Sequence, residues 1–574
     1  MKKITSLLFF VLLLAGCYQD LGNYDYTLDS MNEIKSVTFT PSVVRSASGD
    51  VIEVQQALDD NDKRRRIDAT VEQTLADDLE NLEFYWFRTY SDENGKLVQD
   101  TIFTKGYLEF DLPVGKPMSY DIFLQVYDCT TDLSHYSGFK LKTRPVFKNS
   151  LFVMHGSEGN RKIGNIEVIG NETKIYTDVK KVTKDNNHYE NATGFGYTTY
   201  INIPDNLSNI GETSTLTVFC NNGETRGYDP HGMNVKFTSS QIFKPESETF
   251  SYKKSVQTGD PSNYTMYKVV LSDNGEAYIG NVVQALYKPG HGCENAADLS
   301  HQTDYEITAA TITHNRFLLW DAKNGRFLYA AKEDGGFAID EANSIKPSYV
   351  SKNPLLDAHV RFQGLQRSPA DMTAVMGYMN YRDNYSQQNP YFIFKDEDTG
   401  EYYRYELLMQ NIGDGSKVRR SRTADGEEEV LSAYTVVGEK KLTELTPTDM
   451  STITYNSWFT TTNLFFAEGN TVYRYNVSNG DKFAVYEAPA GYDVTMIKFR
   501  TDDSSAFSSD LGLYLDIVLS NGTNGAIAEI KFTTAADIDT DFTPLFYDRD
   551  NEGNPWGEIK DIIFVNEYAY EMVY

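Results

Sequence analysis

A short apolar strand, a turn rich in Gly and Asn, and a second apolar strand recur along most of this chain. The first strands fall at 151–155, 216–220, 267–271, 316–320, 463–467 and 515–519. Their turns are marked by Gly156, Gly223, Gly275, Gly325, Gly469 and Gly522. A weaker copy at 373–377 has its turn replaced by a longer insertion before 391–394. A lone two-stranded hairpin cannot bury its apolar face, so a repeat of hairpins has to stack against itself. Four short strands per blade is the requirement of a β-propeller, and these seven hairpins would supply strands two and three of each blade. The runs 494–499 and 558–564 look like innermost strands, and the second, close to the chain end, would let the last blade close the ring. The expected fold class is therefore all-β, with a propeller of seven blades, one for each hairpin. The rival arrangement, a string of two or three β-sandwiches, calls for linkers, and no clean ones stand out.

The N-terminus has a different pattern. Lys2 and Lys3 precede an apolar run from Ile4 to Leu14, too short for a permanent membrane span of ~20 residues. It ends in Leu14, Ala15, Gly16 and Cys17, the lipobox pattern of bacterial lipoproteins, in which the Cys thiol receives a diacylglycerol. The plain alternative is an ordinary secretory signal with a cysteine nearby. On the lipobox reading, 1–16 is a signal peptide, Cys17 is the lipid attachment site, and several acyl chains make the anchoring permanent. Asp20 and Asp25 in the leader 17–31 stand where acidic residues act as surface-export signals in lipoproteins of the Bacteroidetes, though a tighter acidic pair would be the fuller match. The expected location is the outer membrane, facing the exterior.

Between 32 and 144 the chain reads as one immunoglobulin-like sandwich. The run 34–39 alternates with period two, and 82–87 does so with large aromatics, placing Trp86 as the core residue of a central strand. Residues 92–96 form a turn cluster, and 120–128 with 137–142 make a closing hairpin whose first strand ends on Val126, Tyr127 and Asp128. That hairpin resembles the last one of PKD-type domains. Leader, sandwich and the β region 145–574 together resemble the PKD-like lipoproteins of gut Bacteroidetes. The resemblance implies a cell-surface lipoprotein, often encoded beside a SusD-like protein and its TonB-dependent transporter, and it brings no catalytic residues.

Composition narrows the function classes. A net charge of −29 repels phosphate backbones, which excludes nucleic acid as an expected partner. Four cysteines in 574 residues are no disulfide scaffold. Apart from Cys17 they are Cys129, Cys220 and Cys293, read as buried small side chains.

Candidate chemistry is sparse. His291, Cys293, Glu294 and His301 form the densest set of metal-ligand types, but they follow Lys288, Pro289 and Gly290 and read as an inter-blade loop. Residues 548–554 resemble the start of a calcium loop, yet position twelve is Ile559, so the bidentate carboxylate is missing and a turn is the better reading. Residues 396–400 read as another turn. No Gly-x-Ser-x-Gly, P-loop or dinucleotide fingerprint occurs, and a glycosidase pair cannot be picked from 82 acidic residues. Tyr378, Tyr381, Tyr385 and Tyr391 sit around an insertion where binding residues collect, against the plain reading that β surfaces favour Tyr. The basic run 63–66 reads as a solvated loop, as does the charge-patterned stretch 412–445. Residues 29–31 and 100–102 resemble bacterial O-glycosylation acceptors.

The expectation is a non-enzymatic surface lipoprotein without metal or other cofactor, structural calcium being unsupported. Its propeller would bind an oligosaccharide or peptide at residues the sequence does not single out, or dock on the transporter complex. A propeller lyase or hydrolase, and a surface adhesin, are the alternatives.

Overall fold

The computed structural model describes residues 32–565 apart from internal stretches, the longest being 202–212, 243–250, 380–388, 410–419 and 501–510. The signal peptide 1–16, Cys17 and the leader thus lie outside the described residues. The chain divides into two compact units, 1–146 and 147–574. Among the described residues no helix is long and apolar enough to cross a membrane.

The first unit is a sandwich of two sheets. One holds Ile34–Thr40, Arg64–Gln73 and Tyr107–Asp111. The other runs, in order, Val44–Ser46, Gly49–Gln55, Leu133–Arg144, Ser119–Asp128, Leu82–Ser91 and Leu97–Phe103. The N-terminal segment contributes to both sheets, and its second part pairs in parallel with the closing strand, Val51 opposite Lys140. That exchange is an immunoglobulin-like arrangement. Trp86 is fully buried between Phe39 and Phe139, its indole N–H donating to the Lys105 carbonyl at 2.8 Å. The basic run is not a loop. Arg64, Arg65 and Arg66 lie on a strand, where Arg64 pairs with Glu109 at 2.7 Å and Arg66 covers the Tyr107 ring at 3.9 Å. The strand forms because Ile67 and Ala69 alternate into the core; Arg64 and Arg66 face out, while Arg65 continues the inward row and donates to the Gln55 carbonyl at 3.1 Å.

Asp128 explains why this hairpin ends where it does. Its buried carboxylate accepts from Asn32 Nδ2 at 2.8 Å, Asn81 Nδ2 at 3.1 Å and the Thr130 amide at 2.9 Å. Burial acts to raise the carboxyl, but the donors from Thr130, Asn32 and Asn81 outweigh it and hold it far below the usual range.

Among its described residues the second unit contains seven successive sheets, antiparallel except for one outer pairing in the fourth, numbered here one to seven. Sheet two is typical: Ala192–Ile201, Thr213–Cys220, Arg226–Tyr228 and Val235–Phe237, paired in chain order from the inside out. Sheets three, five, six and seven start inside with Tyr252–Asp260, Thr373–Met379, Thr454–Tyr455 and Asp493–Phe499. Sheet four starts with Ile307–Ile312 and gains two outer strands, Cys293–Glu294 and His301–Gln302. Sheet one takes its innermost strand from the other end of the unit. Ile559–Val565 pairs with Ser150–His155, Leu151 opposite Phe564. This is the β-propeller arrangement, with the ring closed by the C-terminal strand as expected from 558–564.

Apolar clusters fill the space between neighbouring sheets. Val270 and Phe219 join three to two, Trp320 and Phe394 join four to five, and Phe465 and Phe499 join six to seven. Leu151 and Ile527 join one to seven. The hairpins form because a left-handed residue is needed at their tips: Gly275 has φ +82° and Gly325 φ +59°, which costs a glycine nothing. The hairpin expected at 373–377 and 391–394 is the first and second strands of its sheet, not the second and third. Residues 373–377 belong to the innermost strand of sheet five, and its second and third strands are Pro390–Lys395 and Tyr402–Met409, joined by the turn at 396–400.

Candidate functional site

Antiparallel order puts the connections of each sheet at two ends. Second-to-third connections lie at one end and are short, as at 273–276, 322–325 and 469–470. First-to-second and third-to-fourth connections lie at the other, and there the long ones collect. In sheet four the third-to-fourth connection, 332–354, contains the hairpin Phe337–Ile339 with Ile345–Pro347. In sheet five, next to it, 410–433 contains Arg420–Arg422 with Glu428–Val430, Arg422 opposite Glu428. The stretch 412–445 is therefore more than a solvated loop, since it holds this hairpin and the fourth strand Tyr434–Leu442. Two inserted hairpins in adjacent sheets at one end of the ring make that end the candidate functional face.

The aromatic residues flagged around the sheet-five insertion have a structural place. Tyr378 stacks on Tyr391 at 5.2 Å and meets Tyr455 of sheet six at 4.3 Å. Burial pushes the Tyr378 hydroxyl up to about 12. Arg404 lies 4.7 Å above the Tyr391 ring, and Asn389 donates to Glu406 at 2.7 Å. Tyr378 and Tyr391 thus pack two sheets together beside the candidate face, while Tyr381 and Tyr385 lie outside the described residues.

Two polar clusters have no counterpart in the sequence reading. Arg500 is buried between Asp516 and Glu529, which project from the second and third strands of sheet seven. Its guanidinium bonds Asp516 through both Nε and an Nη at 3.0 Å and also pairs with Glu529. Burial works against the Arg500 charge, but the two carboxylates outweigh it and raise the guanidinium above its usual range. Glu529 is raised, by burial first, with Asp516 adding like charge against Arg500's opposing pull. The Phe564 ring, from the closing strand, covers the guanidinium at 4.3 Å. In the second cluster Lys498 of sheet seven approaches Asp561 of sheet one at 3.6 Å, and Asp561 accepts from the Phe195 amide of sheet two at 2.7 Å. Both clusters hold the closure together. The available signal was a charged residue inside an otherwise apolar strand, as at 515–519, 527–530 and 559–565.

The remaining candidates are placed as follows. Asp550 is buried and accepts from Thr177 Oγ1 at 2.7 Å, from the Asn554 amide at 2.8 Å and from the Glu552 amide at 3.0 Å. Burial would raise this carboxyl, but Asn554, Thr177 and the amides lower it to about 2. The loop 548–554 is a turn organised around Asp550 and bound to sheet one, since Asn551 also accepts from the Ile175 amide at 2.6 Å. His291 lies outside the described residues; the backbones of Cys293 and Glu294 pair with those of Gln302 and His301. Among the described residues no group of three or more His, Cys, Asp or Glu side chains is placed to hold a metal ion. Cys220 is buried, its thiol pushed up to about 12 by burial, whereas Cys129 is exposed, contrary to its reading as a buried side chain. It escapes the core because it follows Asp128, whose turn swings it out of the strand. Thr101 is exposed on the edge strand Leu97–Phe103.

The architecture defines an all-β protein of two units, an immunoglobulin-like sandwich and a β-propeller. A family model described as PKD-like matches residues 17–194, the sandwich and the start of the propeller. No curated protein matches the chain. Among solved structures, a quinonprotein alcohol dehydrogenase-like protein of Bacteroides thetaiotaomicron is 9% identical over 90% of this chain and 94% of that one, with a TM-score of 0.33. An apocarotenoid oxygenase variant of Synechocystis is 9% identical over 74% of this chain and 93% of its own, at 0.39. PorZ, a surface component of the type-IX secretion system of Porphyromonas gingivalis, is 12% identical over 69% of this chain and 38% of its own, at 0.33. The propeller assignment stands on the strand order and not on these likenesses.

Proposed function

We propose that this protein is a non-enzymatic lipoprotein of the outer membrane, anchored through Cys17 and facing the cell exterior. Its propeller binds an oligosaccharide or peptide, or docks on a SusD-like protein and a TonB-dependent transporter as an accessory subunit. The observation that supports the reading is the pair of inserted hairpins, Phe337–Ile339 with Ile345–Pro347 and Arg420–Arg422 with Glu428–Val430, in neighbouring sheets at one end of the ring. A ring of short, well-packed sheets gives such insertions a rigid base, and rigid bases with long connections at one end are how scaffolds present binding surfaces.

The test is a pull-down of tagged protein from detergent-solubilised outer membranes, with the co-purifying proteins identified by mass spectrometry. Stoichiometric recovery of a TonB-dependent transporter and a SusD-like partner supports the accessory role. Recovery of the protein alone rejects it.

A further inference from the structure

The larger sheet of the sandwich has two faces. On Ser119–Asp128 the residues Ile122, Leu124 and Val126 enter the core, so Phe123, Gln125 and Tyr127 point the other way. The ladders align this outer face into rows across three strands. Phe87, Phe123 and Gly138 form one row; Tyr85, Gln125 and Tyr136 form the next. Phe123 and Tyr136 are 42% and 65% exposed, unusual for large rings in the middle of a sheet.

Local details hold these rings in place. A Cβ at Gly138 would stand 2.7 Å from the Phe123 ring, so the glycine lets that ring lie against the neighbouring strand with its far side in solvent. Tyr85 donates its hydroxyl to Glu83 at 2.6 Å, Tyr127 donates to Asp132, and Gln125 donates to Ser134 at 2.9 Å. Tyr85 and Tyr136 flank Gln125 two strands apart, about 9.5 Å at ordinary strand spacing. The result is a flat array of rings with amide and carboxylate groups between them.

We propose that this face binds an extended, neutral polysaccharide chain. The positively polarised C–H edges of sugar rings match the negative faces of aromatic rings. Sugar hydroxyls are donors to the Glu83 and Asp132 carboxylates; Lys140 stands opposite Asp121 one row beyond Phe123, but the carboxylates and the chain's net charge of −29 disfavour an anionic glycan. Tyr85 and Tyr127, held by their hydrogen bonds, lose little freedom on binding. The site belongs to the sandwich and does not rest on the role proposed for the propeller.

The experiment is affinity electrophoresis of the full chain in gels containing neutral polysaccharides (xylan, β-glucan, starch) or anionic ones (polygalacturonate, dextran sulfate). At least one neutral polysaccharide retards the protein, and the anionic ones do not. The double change Phe123→Ala with Tyr136→Ala weakens the retardation about tenfold or more, the scale of losing aromatic anchors. Tyr136→Ala alone, at the more exposed ring, gives a partial loss with an unchanged thermal midpoint and serves if the double variant is unstable. Val168→Ala, at an exposed propeller residue with no assigned role, leaves retardation as it was. Retardation by no neutral polysaccharide, equal retardation by anionic ones, or retardation indifferent to the ring substitutions overturns the proposal. Loss through Val168→Ala alone overturns it too, while leaving the propeller reading intact.

Discussion

The carboxylate of Asp561 accepts a 2.7 Å hydrogen bond from the amide of Phe195, 366 positions earlier in the chain. Asp561 sits on the strand that completes sheet one, Phe195 on the innermost strand of sheet two, and Lys498 of sheet seven reaches the same carboxylate at 3.6 Å. One side chain thus links three consecutive sheets at the point where the ring closes.

Removing it should open the closure. Asp561→Ala leaves a buried amide without its acceptor and Lys498 without its counter-charge, at a cost of about 2–4 kcal/mol. Asp561→Asn can still accept from the amide and costs less. Denaturant unfolding compares the two, and equal losses would show that the hydrogen bond contributes nothing.

The buried group around Arg500 should respond asymmetrically. Arg500→Met strands Asp516 and Glu529 beside each other without a cation, and about 3–5 kcal/mol of stability is lost. Adding Asp516→Asn and Glu529→Gln to Arg500→Met recovers part of that loss, because no buried charge is then left uncompensated. Additive losses across the series would refute the coupling.

Gly194 should tolerate no side chain. An added Cβ would meet the Tyr252 ring at 2.0 Å, and that ring stacks on Phe219 at 4.8 Å between sheets two and three. Gly194→Ala should cost about 1–3 kcal/mol. Tyr252→Ala should be less damaging on the Gly194→Ala background than on the natural one, as a double-mutant cycle would read out.

Acid should loosen the turn at 548–554. The Asp550 carboxyl titrates at about 2 in the folded protein and near 3.8 without its partners. A lowered folded value means the contribution is fully present above the unfolded value and is lost as pH falls from about 4 toward 2. Asp550→Asn should flatten the stability–pH profile in that window, and an unchanged slope would count against the assignment.

The thiols should separate by reactivity. In native protein the exposed Cys129 reacts with a maleimide, slowed because burial and Glu83 raise its thiol, and Cys220 reacts only after unfolding, since its thiol is buried and pushed up to about 12. Cys17→Ser should abolish labelling by a radioactive fatty acid and release the protein from the membrane fraction, the outcome on which the anchor depends.

Much of the fold could be read from local pattern. Period-two alternation at 34–39 and 82–87, Gly at the hairpin tips, and an apolar run close to the chain end all report interactions within a few residues, which sequence displays directly. The insertion in sheet five defeats that pattern: the lengthened first-to-second connection makes its innermost strand read locally like half of a hairpin. The run at 63–66 failed for another reason. Arg64 and Arg66 face solvent, and the inward row of Arg65, Ile67 and Ala69 opens on a charged residue whose guanidinium is satisfied by the Gln55 carbonyl.

The candidate sites were largely illegible, and the reason is physical. Whether Tyr378 is a binding residue or packing depends on Tyr455, on a different sheet; whether Phe123 and Tyr136 share a surface depends on ladder register across Gln125. By itself the sequence determined the strand periodicity, the turn positions and the acidic charge, because these are properties of neighbouring residues. Only the tertiary structure decided which end of the ring carries the inserted hairpins, that Arg500 finds two carboxylates, and that Asp561 reaches Phe195. Each of those joins residues that chain distance separates and only packing brings within a hydrogen bond.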